Sequence, residues 1–229
     1  QKAITMGQPK VAVIVAAFNA SETIHRSVKS ALAQSSVSEV ILVDDCSTDD
    51  TIAMARQASG GDPRLKVLAQ QQNQGPSAAR NRAIAESTAE IIAILDADDV
   101  FLEGRLEPML AEPDWELCAD NMIFVSDTDQ IPTIQARSHK IQNSAVTINL
   151  ENFIDGNISR RGKLRGELGF LKPIIKRSAL MRHHIGYAEE CRLGEDFLLY
   201  FELLASGARF KLMPQCGYAS LVRSDSLSS

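Results

Sequence analysis

Cysteine is scarce in this chain, and its four residues stand apart: Cys46, Cys118, Cys191 and Cys216 make no C-x-x-C pair. That spacing argues against a zinc site and against a disulfide framework, and reads as reduced thiols in a cytosolic protein. Aromatic residues make up only 5%, with a single Trp, so few large rings are available for stacking. No apolar run approaches the ~18 residues of a membrane-spanning helix. Positive charge is not in excess either. Lys and Arg total 24 against 29 Asp and Glu, a net of −5, so no general basic face for nucleic acid is expected. Gln1 to Thr5 carry no apolar h-region, and a secretory leader is not expected. A first residue other than Met and an abrupt end over Ser224–Ser229 lead us to expect a chain truncated at both ends.

What the sequence does hold is enough apolar material for a core. It has 229 residues, 45% of them hydrophobic and 23% charged, which suits one large α/β domain and excludes wholesale disorder. The first half alternates. Lys10–Phe18 is a near-continuous apolar run, as expected of a strand buried on both faces. Ser21 is placed to cap a helix running to about Gln34, with Ile24, Val28, Ala31 and Leu32 on one stripe. Glu39–Val43 is a second strand. Asp49 or Asp50 caps a helix from Thr51, and Leu65–Gln70 is a third strand. Gly75-Pro76 opens a helix to about Ser87, with Pro where its missing N–H costs nothing, and Glu90–Leu95 is a fourth strand. Repeated strand-then-helix units imply a mostly parallel sheet with right-handed crossovers. After Arg105 the pattern loosens into mixed α+β. Cys118–Ser126, Phe210–Met213 and Gly217–Val222 read as strands, and Glu195–Ala205 as a helix. Gly156–Gly169 reads as a mobile loop, and Asp127–Asn143 as polar and irregular.

In an open parallel sheet, ligands bind beyond the carboxyl ends of the strands. Strand one ends in Ala17-Phe18-Asn19, strand two in Asp44 to Asp49, and strand four in Asp96-Ala97-Asp98-Asp99. Acidic clusters meeting in one crevice repel each other unless a cation intervenes. A divalent metal with a phosphate ligand meets that need, because Mg²⁺-type ions combine one or two carboxylates with phosphate oxygens. Each Asp also has a plain reading as a turn former or helix cap, which fits Asp49, Asp50 and Asp99 well.

Five pieces in order carry a resemblance. They are Phe18-Asn19; Val43 to Asp49; Asn73-Gln74-Gly75 with Ala79-Arg80-Asn81; Leu95 to Asp99; and Gly194-Glu195-Asp196. Together they resemble the family 2 glycosyltransferases of polysaccharide biosynthesis over residues 10 to 223. The resemblance implies the GT-A nucleotide-diphospho-sugar transferase fold, α/β with a Rossmann-like N-terminal half. It also implies one catalytic domain, divided into a nucleotide-binding part (10–105) and an acceptor-binding part (106–223). On that likeness, Phe18 stacks on the base and Asn19 holds the turn. Asp45 accepts the uracil N–H, and Arg80 meets the base or braces Asp45. Asp96 meets the ribose or the metal's water shell. Asp98 ligates Mn²⁺ or Mg²⁺, and Ala16 and Ala97 lie along the nucleotide. Asp196, at a helix start, is the base for the acceptor hydroxyl. The donor is a UDP-sugar, with glucose favoured. The acceptor is a saccharide or lipid-linked saccharide, with peripheral contact to the inner membrane face left open.

Other features stay open between site and scaffold. Arg223 stands where a further metal ligand would be expected, facing the diphosphate or simply exposed. The basic stretch Arg160–Gly166 reads as a flap over the diphosphate, a lipid-head contact or a solvated loop. Trp115 reads more readily as core than as a sugar platform, His183-His184 as no metal pair, and Lys172-Pro173 as a tight strand entry rather than a site. A D-x-D phosphohydrolase, a phosphoacceptor receiver domain and a catalytically silent nucleotide-binding module are the competing classes.

Overall fold

The computed structural model describes residues 9–126, 144–158 and 168–221. The N-terminal segment Gln1–Thr5, the polar stretch Asp127–Asn143, the basic cluster Arg160–Gly166, Arg223 and the end Ser224–Ser229 lie outside the described residues.

The apolar runs form strands β1 (Val11–Ala17), β2 (Val37–Asp44), β3 (Leu65–Ala69) and β4 (Ile91–Ile94), separated by helices α1 (Ile24–Leu32), α2 (Thr51–Ser59) and α3 (Pro76–Glu86). All four strands run parallel, in the order β3-β2-β1-β4. The α1 start differs from expectation. Thr23, not Ser21, is the N-cap residue, and it makes no side-chain cap; the Ser21 N–H donates to Asp49 Oδ2 at 3.0 Å. Asp50 is the N-cap of α2 but makes no side-chain cap; Asp49 instead accepts the Thr51 N–H (3.0 Å) and hydroxyl (2.5 Å).

The second half continues the same sheet rather than starting another. It runs through β5 (Val100–Phe101), α4 (Leu106–Ala111), β6 (Leu117–Val125), β7 (Val146–Ile148) and α5 (Leu150–Asn157). A short 3-10 turn (Leu168–Phe170), β8 (Ile174–Lys176), α6 (Arg177–His183), α7 (Glu195–Ala205) and β9 (Phe210–Leu221) complete it. Among the described residues the sheet has nine strands. β8 joins β4 antiparallel, and the order proceeds β8-β6-β9-β5, with β7 also paired to β9. The two expected late strands are one. The chain bulges at Met213–Gln215, where Asn121 Nδ2 donates to the three carbonyls at 3.1–3.4 Å, so Pro214 bends the strand without ending it. The expected loop Gly156–Gly169 is ordered at both ends, in α5 and in the 3-10 turn.

Side chains of β1 alternate between two cores. Val11, Val13 and Val15 pack with Ile24, Val28 and Ala31 of α1 and Ala55 of α2. Ala12 and Ile14 pack on the other face with Ala79 and Ala83 of α3 and Leu199 and Tyr200 of α7. The result is a three-layer α/β/α arrangement in which the carboxyl ends of the parallel strands β1 to β4 share one edge. Trp115 is buried, its indole N–H bonded to the Glu112 carbonyl at 2.7 Å, which makes it core. His183 ends α6, and His184 follows it in the left-handed region at the helix C-terminus. Among the described residues, no helix is long and apolar enough to cross a membrane.

Candidate active site

The tips of β1 and β2 are tied together by backbone. The Asp45 N–H donates to the Ala17 carbonyl at 2.8 Å. Asn19 turns with a left-handed φ of 48°. Its N–H donates to Ser47 Oγ (2.9 Å), and its Oδ1 accepts from the Thr48 N–H (2.9 Å), linking the turn after β1 to the loop after β2. Phe18, between them, projects half exposed, and Ala16 sits half-buried beneath.

Asp45 is buried, and its carboxylate is engaged with its own chain. Oδ1 accepts from Gln70 Nε2 (2.6 Å) and the Gln74 N–H (2.8 Å), and Oδ2 accepts from the Gly75 N–H (2.7 Å). A carboxylate has about four acceptor sites, so one remains on Oδ2. Asp45 therefore organises the loop that starts α3. Gly75 has a φ of +92°, and a Cβ there would stand 2.5 Å from the Arg192 guanidinium.

From that start α3 runs into the centre of the site. Arg80 is buried, and the structure corrects the expectation that it braces Asp45. Its Nη2 donates to Asp96 Oδ1 (2.8 Å), its Nη1 to Glu195 Oε1 (2.7 Å), and its guanidinium lies 5.2 Å over the Tyr187 ring. Lys172 is corrected as well. Far from marking only a strand entry, its buried ammonium bridges Asp96 Oδ2 (2.8 Å) and Asp196 Oδ2 (2.6 Å). The Tyr187 hydroxyl donates to Asp196 Oδ1 at 3.0 Å. Two cations thus face three carboxylates, Asp96, Glu195 and Asp196, leaving one net negative charge. Burial works against the charge on Arg80 and on Lys172, but Asp196 and Asp96 outweigh it, and both stay protonated far above neutrality. For Asp96, burial is outweighed by Lys172 and Arg80, which hold it well below the usual carboxylate range.

Beside Asp96, Asp98 is half-buried, and Ala97 packs partly against the core. Asp99 is buried. Its carboxylate accepts from the Tyr218 hydroxyl (2.7 Å) and the Leu221 N–H (3.1 Å), so its role is structural. Burial, then the charges of Asp96 and Asp98, push it up to about 7. Among the described residues, no group of three or more His, Cys, Asp or Glu could hold a metal alone. Both Asp96 oxygens are taken by Arg80 and Lys172. The donor set fits a Mg²⁺-type ion that takes one carboxylate, Asp98, and completes its shell with substrate phosphate and water. It does not fit an all-protein metal cage.

Beneath this layer lies a foundation that gave no signal in the sequence. Arg105 is fully buried between the rings of Phe101 and Tyr218 and pairs with Asp120 Oδ1 at 2.8 Å. Its Nη2 also donates to the Lys172 carbonyl. Lys172, Tyr187, Arg105 and Tyr218 come from irregular or distant segments, and only a long-range contact unites them. The clue available for Lys172 was its position just ahead of a buried apolar strand.

The family described as glycosyl transferase family 2 matches residues 12–179. The succinoglycan biosynthesis protein ExoU of Rhizobium meliloti is 48% identical over 218 residues, covering 95% of this chain and 64% of ExoU. The chain thus spans a little under two thirds of that relative. Residues 1–349 of S. aureus TarS in complex with UDP-GlcNAc superpose with a TM-score of 0.74 at 22% identity, covering 95% of this chain and 60% of that one. The mannosyltransferase PcManGT from Pyrobaculum calidifontis, in complex with GDP-Man and Mn²⁺, superposes with a TM-score of 0.68 at 20% identity, covering 96% and 59%. Likeness at these identities establishes the GT-A fold.

Proposed function

Because the chain belongs to glycosyl transferase family 2, we propose that it carries the donor-binding and catalytic part of an inverting, metal-dependent enzyme. This enzyme transfers a sugar from a UDP-sugar to a saccharide or lipid-linked saccharide in polysaccharide biosynthesis. What supports the reading above all is a single bridge. Asp96, after β4, and Asp196, at the start of α7, share the Lys172 ammonium. A nucleotide-side acid and a candidate base therefore lie within one ionic cluster.

In this reading the exposed Phe18 ring stacks on the base, and Asn19 keeps the turn beneath it. The remaining acceptor site on Asp45 takes the uracil N–H. Asp96 faces the ribose, and the backbone at Ala16 and Ala97 lines the crevice. Asp98 would hold Mn²⁺ or Mg²⁺ with the diphosphate, and such an ion, when bound, offsets charge on the departing UDP. Asp196 takes the proton of the acceptor hydroxyl as that oxygen attacks the anomeric carbon. The bond to UDP breaks on the opposite face, the electron pair leaves with UDP, and configuration inverts. General-base help of this kind contributes ~10²–10⁴ in rate. We place the reaction in the cytoplasm, where unpaired cysteines stay reduced, with the lipid-linked acceptor supplying any membrane contact. A phosphohydrolase reading is disfavoured because its D-x-D motif belongs after the first strand of its domain, and here it follows β4.

The test is thermal shift with UDP, GDP and ADP, with and without Mn²⁺. A ligand at about 100-fold its Kd stabilises by ~2.7 kcal/mol, so UDP with metal is expected to raise Tm most. Asp98→Ala is expected to abolish the metal-dependent part. Asp196→Asn is expected to keep the UDP shift and lose transfer, with UDP-glucose the first donor to try. A shift with GDP and none with UDP overturns the role given to Asp45. Transfer retained in Asp196→Asn overturns the base.

A further inference from the structure

We infer that Lys172 is a positioning residue for proton transfer: its ammonium fixes the Asp196 carboxylate for the attacking hydroxyl while tying it to Asp96. The inference rests on the reading of Asp196 as base.

Three observations carry it. The lysine is held at both ends, its ammonium bridging Asp96 and Asp196 and its backbone carbonyl accepting from Arg105. Second, Asp196 is restrained at each oxygen by a different group, Oδ2 by Lys172 and Oδ1 by the Tyr187 hydroxyl, which sets the plane of the carboxylate. Third, the cluster is poor scaffolding. A buried ion pair contributes little stability over well-packed hydrocarbon of the same volume, yet here two cations and three carboxylates occupy the strand-tip edge.

The groups facing Asp196 are few. Lys172 comes from the segment before β8, Tyr187 from the segment before α7, Arg80 from α3 and Asp96 from the turn after β4. Tyr200 stands one turn along α7 itself, its buried hydroxyl without a hydrogen-bond partner. Of the two cations, only Lys172 makes a hydrogen bond to Asp196; Arg80 bonds to Asp96 and Glu195 instead.

The experiment follows UDP release from UDP-glucose and UDP-GlcNAc in water. Water oxygen attacks the anomeric carbon, its proton passes to Asp196, and UDP departs with the bonding pair. Lys172→Met is expected to lower kcat about 100-fold, within the range of general-base effects, while UDP affinity by calorimetry changes less than about threefold. In Lys172→Ala, propylammonium is expected to restore kcat saturably, a rescue that a purely structural lysine would not show. Rescue should be absent in Asp196→Asn.

Normal kcat in Lys172→Met with Asp196→Asn inactive overturns this inference alone. So does lost UDP affinity with kcat retained, which would make Lys172 a donor-binding residue. Failure of rescue in a folded Lys172→Ala counts equally against it. Wild-type turnover by Asp196→Asn, or no turnover of any UDP-sugar by the wild type, overturns the underlying reading instead. Should the lysine variants not fold, Tyr187→Phe removes the other bond to Asp196 without changing charge. It is expected to lower kcat about tenfold with UDP affinity kept, and an unchanged kcat overturns the proposal.

Discussion

Gly217 sits where the foundation of the site leaves no room for a side chain. A Cβ there would stand 2.5 Å from Arg105 Cγ and closer still to Asp120 Oδ2. Gly217→Ala must therefore displace a fully buried ion pair, and overpacking of this kind costs about 1–3 kcal/mol. We expect a lower Tm and a lower kcat for UDP release, because the Lys172 carbonyl loses its anchor, with UDP affinity kept. The residue scale also shows how far reading the sequence reaches. Asp45, Asp96, Asp98 and Asp196 were legible because they follow buried strands or open a helix, positions where a polar residue is conspicuous. Lys172 and Tyr187 were not. Each lies in an irregular stretch, and its partner is distant in the chain or set by a loop rather than by helical or strand spacing. Arg80 was noticed, but its partners were misjudged, because nothing in the spacing of α3 tells which neighbour a long side chain meets.

Among the elements, α3 has the widest reach. Just ahead of it the Gly75 N–H donates to Asp45 Oδ2, and Ser77 Oγ donates to the Cys191 carbonyl at 3.3 Å. Asn81 Nδ2 donates to the Tyr187 carbonyl (2.8 Å) and Asn81 Oδ1 accepts from the Tyr187 N–H (2.9 Å). The helix thus clasps the segment that carries Tyr187 toward Asp196. Asn81→Ala leaves those two backbone groups without their partner, at a cost of about 1–3 kcal/mol. We expect faster hydrogen exchange at the Tyr187 amide than in the wild type, while amides in β1 keep their protection. Helix α3 was readable from Gly75-Pro76, as was α7 from Gly-Glu-Asp followed by an apolar run. Strand β9 was misread as two because Pro214 and Gly217 look like breaks. The three-carbonyl contact of Asn121 that carries the strand through comes from β6, too far away for any local pattern to show.

At the scale of the whole molecule, the later strands are secured by Glu116. Its carboxylate accepts from Arg209 Nη2 (2.8 Å), Arg209 Nε (2.9 Å) and the Arg209 N–H (2.8 Å), which pins the start of β6 to the residue ahead of β9. Hydrogen bonds from Arg209 outweigh burial and lower Glu116 to about 2. A carboxylate with a depressed folded value adds stability that is complete above its unfolded value, near 4.3. That stability is lost as pH falls through about 2. Thermal melts of Glu116→Gln are therefore expected to start below wild type at pH 7 and to converge with it in acid. A gap that persists at low pH would mean that Gln fails for reasons of shape rather than charge.

The antiparallel ladder of β4 with β8 bears on motion as well as on architecture. It joins Ile91–Ala93 to Ile174–Lys176 in the same sheet, while α3 bolts the two halves together above it. Flexing one half against the other would tear backbone hydrogen bonds in the middle of a rigid plate. Any motion that widens the crevice is therefore expected outside this plate, in connecting segments. A sluggish variant is better sought there than at any hinge between the two halves.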